Sequence, residues 1–154
     1  MMESQEFAPF QNLDLTRVED RVKQSTGWCN KKIKIASDEY RKFLFLTKVK
    51  NLDKDVSPCE IVDEMWHAHL LFTRTYMKDC NTLFGHFLHH EPYDEDEKVY
   101  QRELSESGDL DNSRRLYTLE LYENTFGQEP HEIWAQDAHC HDCDCSTTKP
   151  PPNA

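Results

Sequence analysis

Between Ser57 and Leu83 the apolar side chains Val62, Met65, Phe72, Tyr76 and Leu83, with His69 among them, recur at intervals of three, four and seven residues. That spacing keeps side chains on one face of an α-helix and excludes the strict alternation of a half-buried strand. Ser57 can cap such a helix, Pro58 suits its first position, and Glu60 can reach back to complete a capping box. The pattern predicts a helix from Pro58 to about Asp79, with His69 turned toward the core.

The same reading extends along the chain. Leu13 to Val22 forms a first helix that Gly27 can stop, and a second helix places Ile33, Ala36, Tyr40, Phe43, Leu44 and Thr47 on one face and ends near Lys50. A brief segment from Thr82 to His90 stops at Pro92, and Asp94–Glu97 make an acidic first turn for a helix to Leu104. Residues 105–112 read as a loop. The last helix runs from Ser113 to Phe126, with Leu116, Leu119, Tyr122 and Phe126 on its inner side and Gly127 beyond it. Only 4 glycines are present, and no short alternating runs lie between glycine turns. The expected fold is therefore all-α, a single compact domain of about five helices spanning residues 13–137. Residues 1–12 read as a flexible N-terminus, and residues 138–154 as a Cys/His-rich, then Pro-rich, tail.

Charge narrows the partners. A net charge of −11, without a basic cluster, opposes nucleic-acid binding, which depends on counterion release at a cationic surface. The first residues show no basic and apolar leader pattern, and no apolar run approaches the roughly 20 residues that cross a bilayer. A cytoplasmic protein acting on a small molecule or a protein partner is expected, with neither nucleic acid nor membrane. Six cysteines in such a chain read as thiols or metal ligands rather than disulfides.

The histidines carry the chemistry. Asp63 and His67 are four apart and share a helical face, whereas His67 and His69 point about 200° from one another. One helix therefore cannot aim both imidazoles at a single ion. His86 precedes His89 and His90 by three and four residues, a spacing that would place imidazoles on one face of a helical segment. If that segment folds back on the preceding helix, it brings two or three imidazoles and a carboxylate together. Asp63, His67, His86 and His90 are the expected ligands, and His69 is either a further ligand or a core residue. Zinc is the first expectation, with iron or copper as alternatives. Two other readings stand beside it. In one the histidines are hydrogen-bonded structural groups. In the other a histidine oriented by Asp63 acts as an acid or base without metal. Trp66 and Tyr76 could wall a pocket, although aromatics at helical spacing usually build the core.

A second cluster, His139, Cys140, His141, Cys143 and Cys145, packs soft and borderline ligands into seven residues and could hold zinc or Cu(I). Cys140 and Cys143 form one C-x-x-C pair. No second pair completes a zinc finger.

The stretch Val62-Asp63-Glu64-Met65-Trp66-His67-Ala68-His69-Leu70-Leu71-Phe72-Thr73-Arg74-Thr75-Tyr76 is followed by Cys80, Phe84-Gly85 and His90-Glu91-Pro92. Together with Tyr40-Arg41-Lys42-Phe43-Leu44 upstream and Leu121–Gly127 and Ile133-Trp134 downstream, it resembles the glycine-rich domain-containing protein-like family. The resemblance spans about residues 27–135. It implies a compact helical domain and draws attention to Asp63, Trp66, His67, His69, Tyr76, Cys80 and His90, but it supplies no reaction. The chain lacks that family's glycine-rich tail. The sequence is thus read as a metal-binding helical domain, with catalysis left open, or else as an interaction module whose histidines are structural.

Overall fold

A computed structural model of the chain describes residues 4–90 and 110–135. Among these residues every regular element is helical: α1 (Ser4–Gln11), α2 (Thr16–Thr26), α3 (Asn30–Val49), α4 (Glu60–Leu71), α5 (Thr73–Phe84), α6 (Leu110–Phe126) and a 3-10 turn, Glu132–Trp134. The acidic helix expected at 94–104 and the tail from 138 onward lie outside the described residues. None of the described helices is long and apolar enough to cross a membrane.

Helix α3 is the axis of the fold. It packs against α1, α2, α4 and α6. Near its N-terminal end Ile33, Ala36 and Tyr40 are buried at helical intervals, but Phe43, Leu44, Phe45 and Leu46 are buried in succession. Four consecutive buried positions cover the whole circumference of a helix. The turn of α3 at residues 43–46 is therefore enclosed on every side by the elements that contact it.

Residues 4–11, expected to be flexible, form α1. Its short apolar repeat is only Phe7 and Phe10, and Pro9 stands inside it, which is why no periodicity is legible there. The helix is held by tertiary packing: Phe7 and Phe10 both lie edge-on to Phe45, at 5.4 and 5.2 Å, and Phe10 also meets Phe84. Helix α2 ends as expected at Gly27, whose φ of 72° is the left-handed conformation that closes a helix without a Cβ clash. Helix α6 buries Thr118 and Tyr122, while Leu116, expected to face inward, is exposed.

The largest departure from expectation lies in α4 and α5. The sequence predicts one helix from Pro58 to Asp79, and the structure has two. The chain breaks at Phe72, whose ψ of 65° is not helical. Its N–H still reaches the His69 carbonyl, and its own carbonyl already accepts from Tyr76. No glycine or proline marks the break. Tertiary contacts show what it achieves. Trp66 Nε1 donates to Tyr76 Oη at 2.9 Å, and His69 Nε2 lies 2.8 Å from Asp79 Oδ2. Each pair is ten residues apart, about 15 Å along a straight helix. The break folds α5 back across α4, so these contacts stand in for a continuous helical ladder. The N-terminus of α4 also differs from expectation. Cys59 occupies the cap position without a side-chain hydrogen bond, and the Ser57 N–H instead donates to Thr118 Oγ1.

Candidate metal centre

Asp63 and His67 rise from the same face of α4, and Asp63 Oδ2 lies 3.6 Å from His67 Nε2. The third member arrives from outside the helix. Gly85, with a φ of 75°, ends α5, and residues 86–90 run back over α4 without helical structure. His90 then stacks on the Trp66 indole, with ring centres 3.9 Å apart and planes 6° from parallel. Its ring also lies within 18° of parallel to His67, at 4.6 Å. His90 Nε2 is 2.8 Å from Asp63 Oδ1. One ligand atom from each of Asp63, His67 and His90 lies within 4.8 Å of the others.

The inner pair of atoms is unusual. Asp63 Oδ1 and His90 Nε2 are close enough to hydrogen-bond, yet both are buried and neither has a correctly oriented partner. A buried polar atom left this way costs about 1–3 kcal/mol. A cation between them would satisfy both. Burial holds the His90 imidazole below its ordinary pKa, with His67 pushing the same way and Asp63 opposing. That shift favours the neutral imidazole, the form that binds metals. His67 is more than half exposed while His90 is largely covered, so the cluster is closed on its inner side and open to solvent on its outer side.

The remaining expected ligands lie elsewhere. His69 is 1% exposed and both its ring nitrogens are engaged: Nδ1 with the Tyr40 hydroxyl at 2.8 Å, Nε2 with Asp79 at 2.8 Å. Burial lowers its pKa against the pull of Asp79. It is a core histidine, not part of the Asp63 group. His86 is exposed, with Nδ1 on the Phe87 carbonyl. It stands apart because the segment after Gly85 is not helical, so the three- and four-residue spacing of His86, His89 and His90 creates no common face. Trp66 and Tyr76 are buried rather than walls of an open pocket. The cluster His139, Cys140, His141, Cys143 and Cys145 lies outside the described residues.

The cysteines divide. Cys29 is disulfide-bonded, against the expectation of a thiol, whereas Cys59 and Cys80 are free. Cys59 sits at a helix N-terminus, where thiols are commonly activated, but burial overrides the helix and pushes its pKa up to about 12. Near neutral pH it is held as the protonated thiol. Burial also raises the Cys80 thiol.

A second polar cluster escaped sequence reasoning. Glu39 on α3 is buried and accepts from Tyr122 Oη at 2.9 Å and from Trp134 Nε1 at 3.1 Å, while Lys42 lies 3.4 Å away. Burial, reinforced by Glu39, keeps the Tyr122 phenol protonated. The cluster fastens α6 and the 3-10 turn to α3. It is saturated by its own members, as a structural network must be.

The described residues thus define an all-helical domain with one unsatisfied histidine–carboxylate cluster at its surface. The model of the UCP032817-like family matches residues 4–108, which contain all three members of that cluster. The chain belongs to the UCP032817-like family, and this match replaces the resemblance to the glycine-rich domain-containing protein-like family drawn from the W-H-x-H region. No curated protein and no solved structure matches the chain.

Proposed function

We propose that the protein binds a transition-metal ion through Asp63, His67 and His90. The observation that carries this reading is the inner pair, Asp63 Oδ1 and His90 Nε2, buried and 2.8 Å apart with poorly directed hydrogen-bond geometry. With metal–ligand bonds of about 2.0–2.1 Å, ligand atoms in a tetrahedral shell stand about 3.3 Å apart. The three donor atoms, now within 4.8 Å of one another, would have to adjust to that spacing on binding. Two imidazoles and one carboxylate suit zinc first, while the same set with open positions is also the ligand set of non-haem iron.

Three protein ligands and an exposed outer side leave a position for water or another small ligand. That arrangement supports metal-activated water or Lewis-acid chemistry. The competing scaffold reading is favoured at one residue, His69, whose nitrogens are both occupied.

Metal content of the full chain tests the proposal. Purified protein equilibrated with zinc is analysed by inductively coupled plasma mass spectrometry beside the double variant Asp63→Asn/His67→Ala. The expected result is one equivalent fewer in the variant, at unchanged helical circular dichroism. Equal metal content in the two proteins sinks the reading, whatever the tail retains.

A further inference from the structure

We propose that Tyr76 and Cys80 are positioning residues of this centre: by gripping the backbone of Leu88 they set the His90 imidazole against Asp63. The proposal rests on the metal-binding reading of Asp63, His67 and His90.

The three ligands are not equally supported. Asp63 and His67 are fixed by α4 itself, whereas His90 stands at the end of a non-helical segment that begins at Gly85. Something other than helical hydrogen bonding must hold that segment in place. Tyr76 and Cys80 are four apart on α5 and share its inner face. The Tyr76 hydroxyl donates to the Leu88 carbonyl, and the Cys80 thiol lies close enough to the Leu88 backbone to feel it electrostatically. The Leu88 backbone is therefore held from α5, through its carbonyl above all, two residues before the ligand. The same hydroxyl accepts from Trp66 Nε1 at 2.9 Å, and Trp66 is the surface on which His90 stacks. One oxygen thus ties the loop to the ring that its histidine rests on. Tyr76 and Cys80 are only 1% and 2% exposed. They touch neither solvent nor any ligand of the metal, so they act through His90.

The break at Phe72 gives this grip its geometry. Were α4 and α5 one helix, Tyr76 would lie about 15 Å along the axis from Trp66. Folding α5 back brings its Tyr76–Cys80 face under the loop.

The test is a titration of the full chain with Co(II), read by ligand-field absorption, with thiolate charge-transfer bands reporting any cysteine ligation separately. Tyr76→Phe keeps the ring and removes only the hydroxyl. It is expected to weaken cobalt binding about 10–100-fold and to shift the ligand-field spectrum toward that of His90→Ala. Cys80→Ala should move both readouts in the same direction by less. Tyr40→Phe removes an equally buried hydroxyl from the core and should change neither. Wild-type affinity and spectrum in both Tyr76→Phe and Cys80→Ala would overturn the proposal. So would an equal loss of affinity in Tyr40→Phe with no spectral change, since that is general loosening of the fold. If Tyr76→Phe loses its helical circular dichroism, the Cys80→Ala result decides. If Asp63→Asn binds cobalt as the wild type does, the metal reading itself fails, and the positioning role fails with it.

Discussion

His67 and His69 are two residues apart on one helix and have opposite surroundings. His69 is enclosed, with Tyr40 on one nitrogen and Asp79 on the other. His67 is half in solvent, beside a carboxylate and an imidazole whose buried atoms have no directed hydrogen bond. A structural histidine is identified by having all its polar contacts met. A binding histidine belongs to a group in which some are not. The 200° between the two directions on α4 makes this division possible within three residues.

The contrast breaks first if His69 can be removed without penalty. His69→Ala leaves the Tyr40 hydroxyl and the Asp79 carboxylate without their partner and opens a cavity between α3, α4 and α5. The expected loss is about 3 kcal/mol or more, measured by urea unfolding of the metal-free protein. A loss below about 1 kcal/mol would mean that the inner cluster is not the structural one.

The outer cluster should respond to metal instead. Free zinc at about one hundred times its dissociation constant stabilises a one-site protein by about 2.7 kcal/mol. The full chain should show a zinc-dependent rise in melting temperature. Asp63→Asn should lose the part of that rise that depends on this site, while His69→Ala, starting from a lower melting temperature, should retain it. An identical rise in wild type and Asp63→Asn would place any bound zinc elsewhere.

Gly85 tests the connection between the two regions, because it turns the chain from α5 toward His90. An added Cβ there would meet nothing within 4 Å, so any cost comes from the backbone φ of 75° alone. Gly85→Ala is expected to cost about 1 kcal/mol. A metal affinity that falls with it would show that the turn and the site share their geometry. An unchanged affinity would confine the effect to the helix end.

How much of this was legible beforehand follows from the range of the interactions. The helices α2, α3 and α6 rest on repeats and stop residues within their own spans, and the approach of Asp63 to His67 follows from a four-residue spacing. The fold-back that carries His90 to them is legible as a possibility, but as a helical segment sharing a face with His86, whereas residues 86–90 return without helical structure. The break at Phe72 carries no glycine or proline, so only the contacts that α5 makes once folded back reveal it. Helix α1 has too few apolar residues to declare itself. Glu39 has its partners 83 and 95 residues away. In the sequence it is one of two adjacent acidic residues on a basic helix, and only the completed fold explains why it is buried.

The smallest expected effect is the sharpest test of the comparison. His67→Ala removes an exposed imidazole whose contacts to Asp63 and His90 lie at the surface, so without metal it should change stability by no more than about 0.5 kcal/mol. With saturating zinc the same variant should lose most of the metal-dependent stabilisation that depends on this site. A thermodynamic cycle of wild type and His67→Ala, each with and without zinc, separates the two effects. If His67→Ala destabilises the metal-free protein as much as His69→Ala does, both histidines are scaffold. If it is silent in both conditions, the open face of the cluster contributes no ligand, and the unsatisfied pair of Asp63 and His90 must be explained without it.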